Sequence, residues 1–222
     1  PLPPPKEVEI TELEPGLPTP RLLLFGQEIS TGYIHLMDIS FEYGGWGISP
    51  TQMDEISIIK TEKGLLRIHR DLDSEFEEIS RLTELGFAPL SDPKSKDQIY
   101  YSPAEQSVMD SAARWKAFIE QTLPALEKQG WKVDIDNSFL LEFQEAGHWE
   151  AEIEENASEW FDLHFNVEVE GKSLPLLPLI MPVLEVYEPD NLPQTLTIPI
   201  EPHVYLTLPG EKIKPFLDIL YE

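Results

Sequence analysis

The chain has no cysteine. That excludes disulfides, zinc–thiolate centres and thiol nucleophiles, and it fits a reducing cytoplasm. Basic residues are scarce: 16 Lys and Arg stand against 41 Asp and Glu, a formal net charge of −25. A nucleic-acid interface needs a basic patch to neutralise phosphates, so direct contact with DNA or RNA is not expected. No apolar run reaches the ~18 residues of a membrane-spanning helix. The N-terminus, Pro1-Leu2-Pro3-Pro4-Pro5, lacks the basic-then-apolar layout of a secretory signal. A cytoplasmic location is therefore expected.

Catalytic motifs are also missing. Gly171-Lys172-Ser173 invites a phosphate-loop reading, but the glycine that motif needs at position 166 is Asn. A hairpin turn is the better reading. His35, His69, His148, His164 and His203 form no ligand-spaced pair, and no serine sits in a GxSxG elbow. No metal or cofactor site is expected in this chain.

What is present is a globular composition. The 222 residues are 41% hydrophobic and 10% aromatic, enough for one large domain or two small ones. Residues 1–19, with prolines at 1, 3, 4, 5, 15 and 18, read as linker. Arg21–Phe25 and Tyr33–Tyr43 read as strands. Ile56–Lys60 and Leu65–His69 read as a hairpin turning at Glu62-Lys63-Gly64. Leu72, Phe76, Ile79, Leu82 and Leu85 recur at helical spacing behind an Asp71 or Asp73 cap, with Glu75, Glu77, Glu78 and Glu84 as the solvated face. Residues 91–98 read as a polar loop before a short strand, Gln98–Ser102. A second helix sets Val108, Ala112, Trp115, Ile119, Thr122 and Leu126 on one face, with Phe118 and Leu123 broadening the stripe, broken near Leu123 by Pro124. Thr195–Ile200 and Val204–Leu208 read as strands that their prolines confine to edges or ends. Pro209 opens a last helix carrying Ile213, Phe216, Leu217 and Leu220.

The most informative stretch runs from Gly130 to Pro182. Within it Phe161, Leu163, Phe165, Val167 and Val169 alternate with Asp162, His164, Asn166, Glu168 and Glu170. That period of two is a half-buried strand of an antiparallel sheet with one wet face. The wet face is acidic: twelve Asp and Glu lie between Trp131 and Glu170 against a single Lys132. Glu150, Glu152, Glu154, Asp162 and Glu168 are its candidate interaction residues. A solvated face that serves solubility accounts for any one of them. A carboxylate pair among Glu150, Glu152 and Glu154 is the alternative, since acid–base hydrolysis of glycosides needs two carboxylates roughly 5–9.5 Å apart.

These residues also carry a family resemblance. Gly130-Trp131 with Val133, then Trp160-Phe161-Asp162-Leu163, Gly171, and Leu176-Leu177-Pro178 resemble the N-terminal accessory region of bacterial Swi/Snf-family ATPases, superfamily-two helicase-like motors. Arg70-Asp71-Leu72 with Glu75, Trp115 with Phe118, and Leu208-Pro209 extend the resemblance over roughly residues 20–222. It implies a non-catalytic accessory or protein-interaction region. The ATPase lobes, with ATP and magnesium, would lie downstream in the parent protein, and no catalytic residue transfers to this chain. The implied partners are those motor lobes or another basic protein surface. The alternatives are a stand-alone acidic hydrolase and a nucleic-acid-binding module.

The expected fold is α+β, mostly antiparallel sheet with at least three helices, as one body or as two lobes meeting near residues 103–130. The expected division is a Pro-rich linker over 1–19, an α+β lobe over 20–105 and a helix-plus-sheet lobe over 106–222. Because it stops inside a helical pattern, the second lobe is expected to be truncated at its C-terminal end.

Overall fold

Pro20, Leu22 and Leu24 alternate with more exposed neighbours, so a long strand forms near the start of the chain and turns one side inward. A computed structural model describes residues 9–30, 32–92, 95–155 and 161–221, with side chains for all of these except 92–97, 151–164, 219 and 221. In chain order the elements begin with β1 (Ile10–Glu12), β2 (Thr19–Ile29), β3 (Gly32–Tyr43), β4 (Trp46–Ile48), β5 (Ile56–Thr61) and β6 (Gly64–His69). There follow α1 (Leu72–Glu84), β7 (Phe87–Asp92), β8 (Ser95–Pro103), α2 (Val108–Ala117), a π-helical turn (Phe118–Thr122), α3 (Leu123–Lys128) and β9 (Lys132–Ile135). The chain continues through β10 (Glu142–Glu145), β11 (Trp149–Glu155), β12 (Phe161–Val169), β13 (Lys172–Pro175) and α4 (Leu176–Val186). It closes with a 3-10 turn (Pro189–Asn191), β14 (Thr195–Glu201), β15 (Val204–Pro209) and α5 (Gly210–Tyr221). Most strand pairs are antiparallel, and the fold is α+β.

Two compact units result: Pro1–Ala104 with Ile119–Phe139, and Glu105–Phe118 with Leu140–Glu222. The segment 119–139, grouped with the C-terminal lobe in the sequence reading, clusters with the first unit because β9 pairs in parallel with β2.

In the first unit the larger sheet has the order β7-β8-β3-β2-β9, with β4 on β3. Leu22, Leu24, Met37, Ile39, Phe41 and Leu126 are its buried core. Gly26 allows a close approach to the chain after β9: a Cβ there would lie 2.3 Å from the Ser138 carbonyl oxygen. The smaller sheet, β1-β6-β5, contains the expected hairpin. It also corrects the linker reading of 1–19. Ile10–Glu12 pairs with Leu65–Arg67, and only a glycine at 64 leaves room for the Glu9 carbonyl oxygen. β7 likewise corrects the sequence reading, which placed part of it in a polar loop; Pro89 is tolerated because β7 is an edge strand.

The second helical region keeps its predicted break and most of its predicted stripe, with Met109 taking the inward place expected of Val108. Val108 is 62% exposed, and the buried positions are Met109, Ala112, Trp115, Phe118, Leu123 and Leu126. Pro124 has no N–H to give and crowds the carbonyl four residues back. The backbone widens into the π-helical turn just before it. The extra residue there makes the interval from Phe118 to Leu123 five. Gly130, at φ +96°, then ends α3. The Trp131 N–H reaches the Leu126 carbonyl and the Gly130 N–H that of Glu127, the paired bonds of a Schellman cap.

The second unit holds the sheets β10-β15-β14 and β11-β12-β13. One stretch of chain links them: the Ala146 N–H bonds to the Thr207 carbonyl and the Gly147 N–H to that of Glu168. Val167, Val169, Leu176, Ile180, Val183, Leu196, Leu206 and Leu217 meet in one apolar core beneath α4 and α5. The Leu-Leu-Pro run of the sequence is thus the start of α4. The stretch from Gly130 to Pro182 is not one sheet, since β9 belongs to the first unit. Pro199 sits on β14, an edge strand as proline requires, whereas β15 is central.

Candidate functional site

The acidic face is built by the register of β11, β12 and β13. Glu150 lies opposite Asn166 and Glu168 opposite Ser173. Val167 and Val169, alternating with Glu168, are buried in the core. Glu150 and Glu168 are both exposed, so the period-two reading holds where side chains are described. The two are diagonal neighbours across the strand pair, roughly 7–8 Å apart at the backbone by the usual sheet spacing. Glu168 is pinned through its main chain by bonds with His148 and Gly147. The side chains of Glu152, Glu154, Asp162 and His164 lie outside the described residues; the backbone register places Glu152 opposite His164 and Glu154 opposite Asp162. The Glu170-Gly171 turn adopts positive φ at both residues, +49° and +78°, joining Val169 to Lys172 as a two-residue hairpin. Among the described residues no three His, Asp or Glu side chains group as a metal site would need.

A second surface, in the first unit, was not foreseen. Glu75 is not on a solvated face. Its side chain is 3% exposed and that of Arg70 is 0% exposed. Arg70 Nε donates to Glu75 Oε1 at 2.9 Å and Nη2 to Oε2 at 2.5 Å, a two-pronged pairing. Arg70 Nη1 donates to the carbonyl oxygens of Gln52 and Asp54. The Tyr43 hydroxyl donates to Glu75 Oε1 at 2.7 Å and accepts from the Asp71 N–H at 2.9 Å. Burial, reinforced by the Glu75 carboxylate, holds the Tyr43 phenol well above the ordinary tyrosine value. Asp71 caps α1 by accepting from the Ser74 N–H, and the Ser74 bonds hold its carboxyl below the usual range.

Giving Glu75 the inward position turns Phe76 outward. Phe76 lies about 120° around the helix from buried Leu82, and it is 68% exposed. It borders a cavity of about 400 Å³ lined chiefly by Pro50, Met53, Phe76, Ile79, Ile99 and Tyr101. Arg70 fastens both walls of this groove: the 50–55 loop through two carbonyls and α1 through Glu75. The sequence held one faint signal, an Arg directly before a capped helix whose fourth residue is Glu. An apolar stripe including Phe76 obscured it.

Comparison with family models, with characterised proteins and with solved structures gives no match.

Proposed function

We propose that this chain is a non-catalytic interaction region, the accessory part of a Swi/Snf-type ATPase, whose acidic sheet face engages a basic surface of the motor lobes. The observation that supports an interaction role is the two-sidedness of β11-β12-β13. One side is closed by the core through Val167 and Val169, and the other presents Glu150 and Glu168 to solvent. The Swi/Snf assignment rests on the Gly-Trp, Trp-Phe-Asp-Leu and Leu-Leu-Pro resemblance alone. A motor that tracks DNA carries basic surface for the phosphates, and an acidic face laid on it competes with DNA. ATP and magnesium belong to the motor lobes in this reading, and the region restrains the motor by covering its nucleic-acid track.

The deciding measurement is DNA-stimulated ATPase activity of the parent protein. Three forms are compared: intact, without residues 1–222, and with Glu150, Glu152, Glu154, Asp162 and Glu168 changed to Gln or Asn. Tighter DNA binding and a higher basal rate in both altered forms are expected, with the difference shrinking as salt screens the charges. Unchanged DNA affinity and basal rate would refute the proposal.

A further inference from the structure

We infer that the groove over α1 in the first unit binds a protein segment carrying an apolar anchor flanked by lysine or arginine. Its walls are mainly apolar over a floor closed by the buried Arg70–Glu75 pair, and two of its largest side chains stand in water: Met53 is 80% and Phe76 68% exposed. Contiguous apolar surface kept open in this way marks a contact site. A cavity of about 400 Å³ lies within the range that accepts an aromatic or aliphatic group, roughly 300–1,000 Å³. The groove is preformed, because Arg70 ties the 50–55 loop to α1 with no ligand bound. A binding segment therefore meets a reduced backbone-ordering cost on this side.

Charge complementarity selects the occupant. Asp54, Glu55, Asp73 and Glu77, beside the groove residues in the chain, are exposed. The Arg70 charge is consumed by buried Glu75, and Arg81 lies 3.6 Å from Glu78. The rim is thus negative around an apolar centre, complementary to a segment that is apolar and basic. A net charge of −25 opposes a second copy of this chain, nucleic acid and an anionic membrane alike. The inference stands apart from the acidic sheet face and from the Swi/Snf assignment.

The test uses the whole chain and a synthetic fluorescein-labelled peptide with leucines at helical spacing flanked by lysines. A matched peptide carries Glu in place of Lys. Anisotropy should show saturable binding of the lysine peptide and at least tenfold weaker binding of the glutamate peptide. Phe76→Ser with Met53→Ser should weaken the lysine peptide at least tenfold. Both side chains are exposed, and circular dichroism is the check that this variant folds. Asp54→Asn with Glu55→Gln and Glu77→Gln should weaken binding and flatten its salt dependence. The inference is overturned by absent saturable binding, by binding indifferent to Phe76 and Met53, or by equal affinity for the two peptides. Sedimentation showing that Phe76→Ser abolishes self-association of the chain would overturn it in favour of a second copy.

Discussion

Replacing Glu75 by Ala should be among the most damaging single changes in the first unit. The carboxylate accepts three hydrogen bonds, from Arg70 Nε, Arg70 Nη2 and the Tyr43 hydroxyl. Without it the Arg70 guanidinium remains buried with its charge unopposed, and removing one partner of such a pair costs about 3–5 kcal/mol. Against a typical domain stability of about 5–15 kcal/mol, that is about a fifth of the total or more. Arg70→Met leaves the Glu75 charge buried and should cost a similar amount. It also strips donors from the Gln52 and Asp54 carbonyls. Arg70→Met with Glu75→Leu removes both charges and refills the volume, so it should cost less than either single change. Urea unfolding of the parent, Arg70→Met, Glu75→Leu and their double variant, with Glu75→Ala alongside and exchange of the α1 amides as a local probe, gives the coupling energy. A cost below about 1 kcal/mol for Glu75→Ala, or a double variant equal to the sum of the singles, would refute this account of the pair.

Tyr43, Tyr101, Tyr187 and Tyr205 all have phenols raised above the ordinary value of 10.0, chiefly by burial. The folded chain therefore holds protons that the unfolded chain releases. Stability should be insensitive to these groups below pH 10 and should fall as the pH rises beyond it; phenolate absorbance followed with unfolding checks this. Gly26→Ala should be strongly destabilising, because its Cβ would lie 2.3 Å from both the Ser138 carbonyl oxygen and the Tyr33 ring. Faster exchange of the β2 and β9 amides is the local readout. Leu206→Ala, at a fully buried position between two neighbouring strands, should cost about 2–5 kcal/mol by urea unfolding. Phe76→Ala, at an exposed position, should stay within about 0.5 kcal/mol of the parent.

Local rules determined much of this protein directly from its sequence. The period of two through Phe165, Val167 and Val169 gave β12 its two faces. Gly171 fixed the hairpin and Gly130 the helix stop, since each must adopt positive φ. Asp71 capped α1, and Pro124 disturbed the second helix where its missing donor predicts. Each depends on residues within one turn or one hairpin. Tertiary structure decided what such rules cannot reach. Whether Lys132–Ile135 joined β2 or β12 depended on long-range pairing, which carries little signature in a four-residue strand. The π-helical turn stretched the step from Phe118 to Leu123 to five residues, and packing against the second unit's core put Met109 inside and Val108 outside. Glu75 looked solvated because it is charged, and Phe76 looked buried because it is apolar. Only the partners of Glu75, Arg70 five residues earlier and the distant Tyr43, could reverse both, by replacing the water lost on burial with three hydrogen bonds and an opposing charge. That exchange closed the polar floor of the groove and left its apolar wall open to solvent.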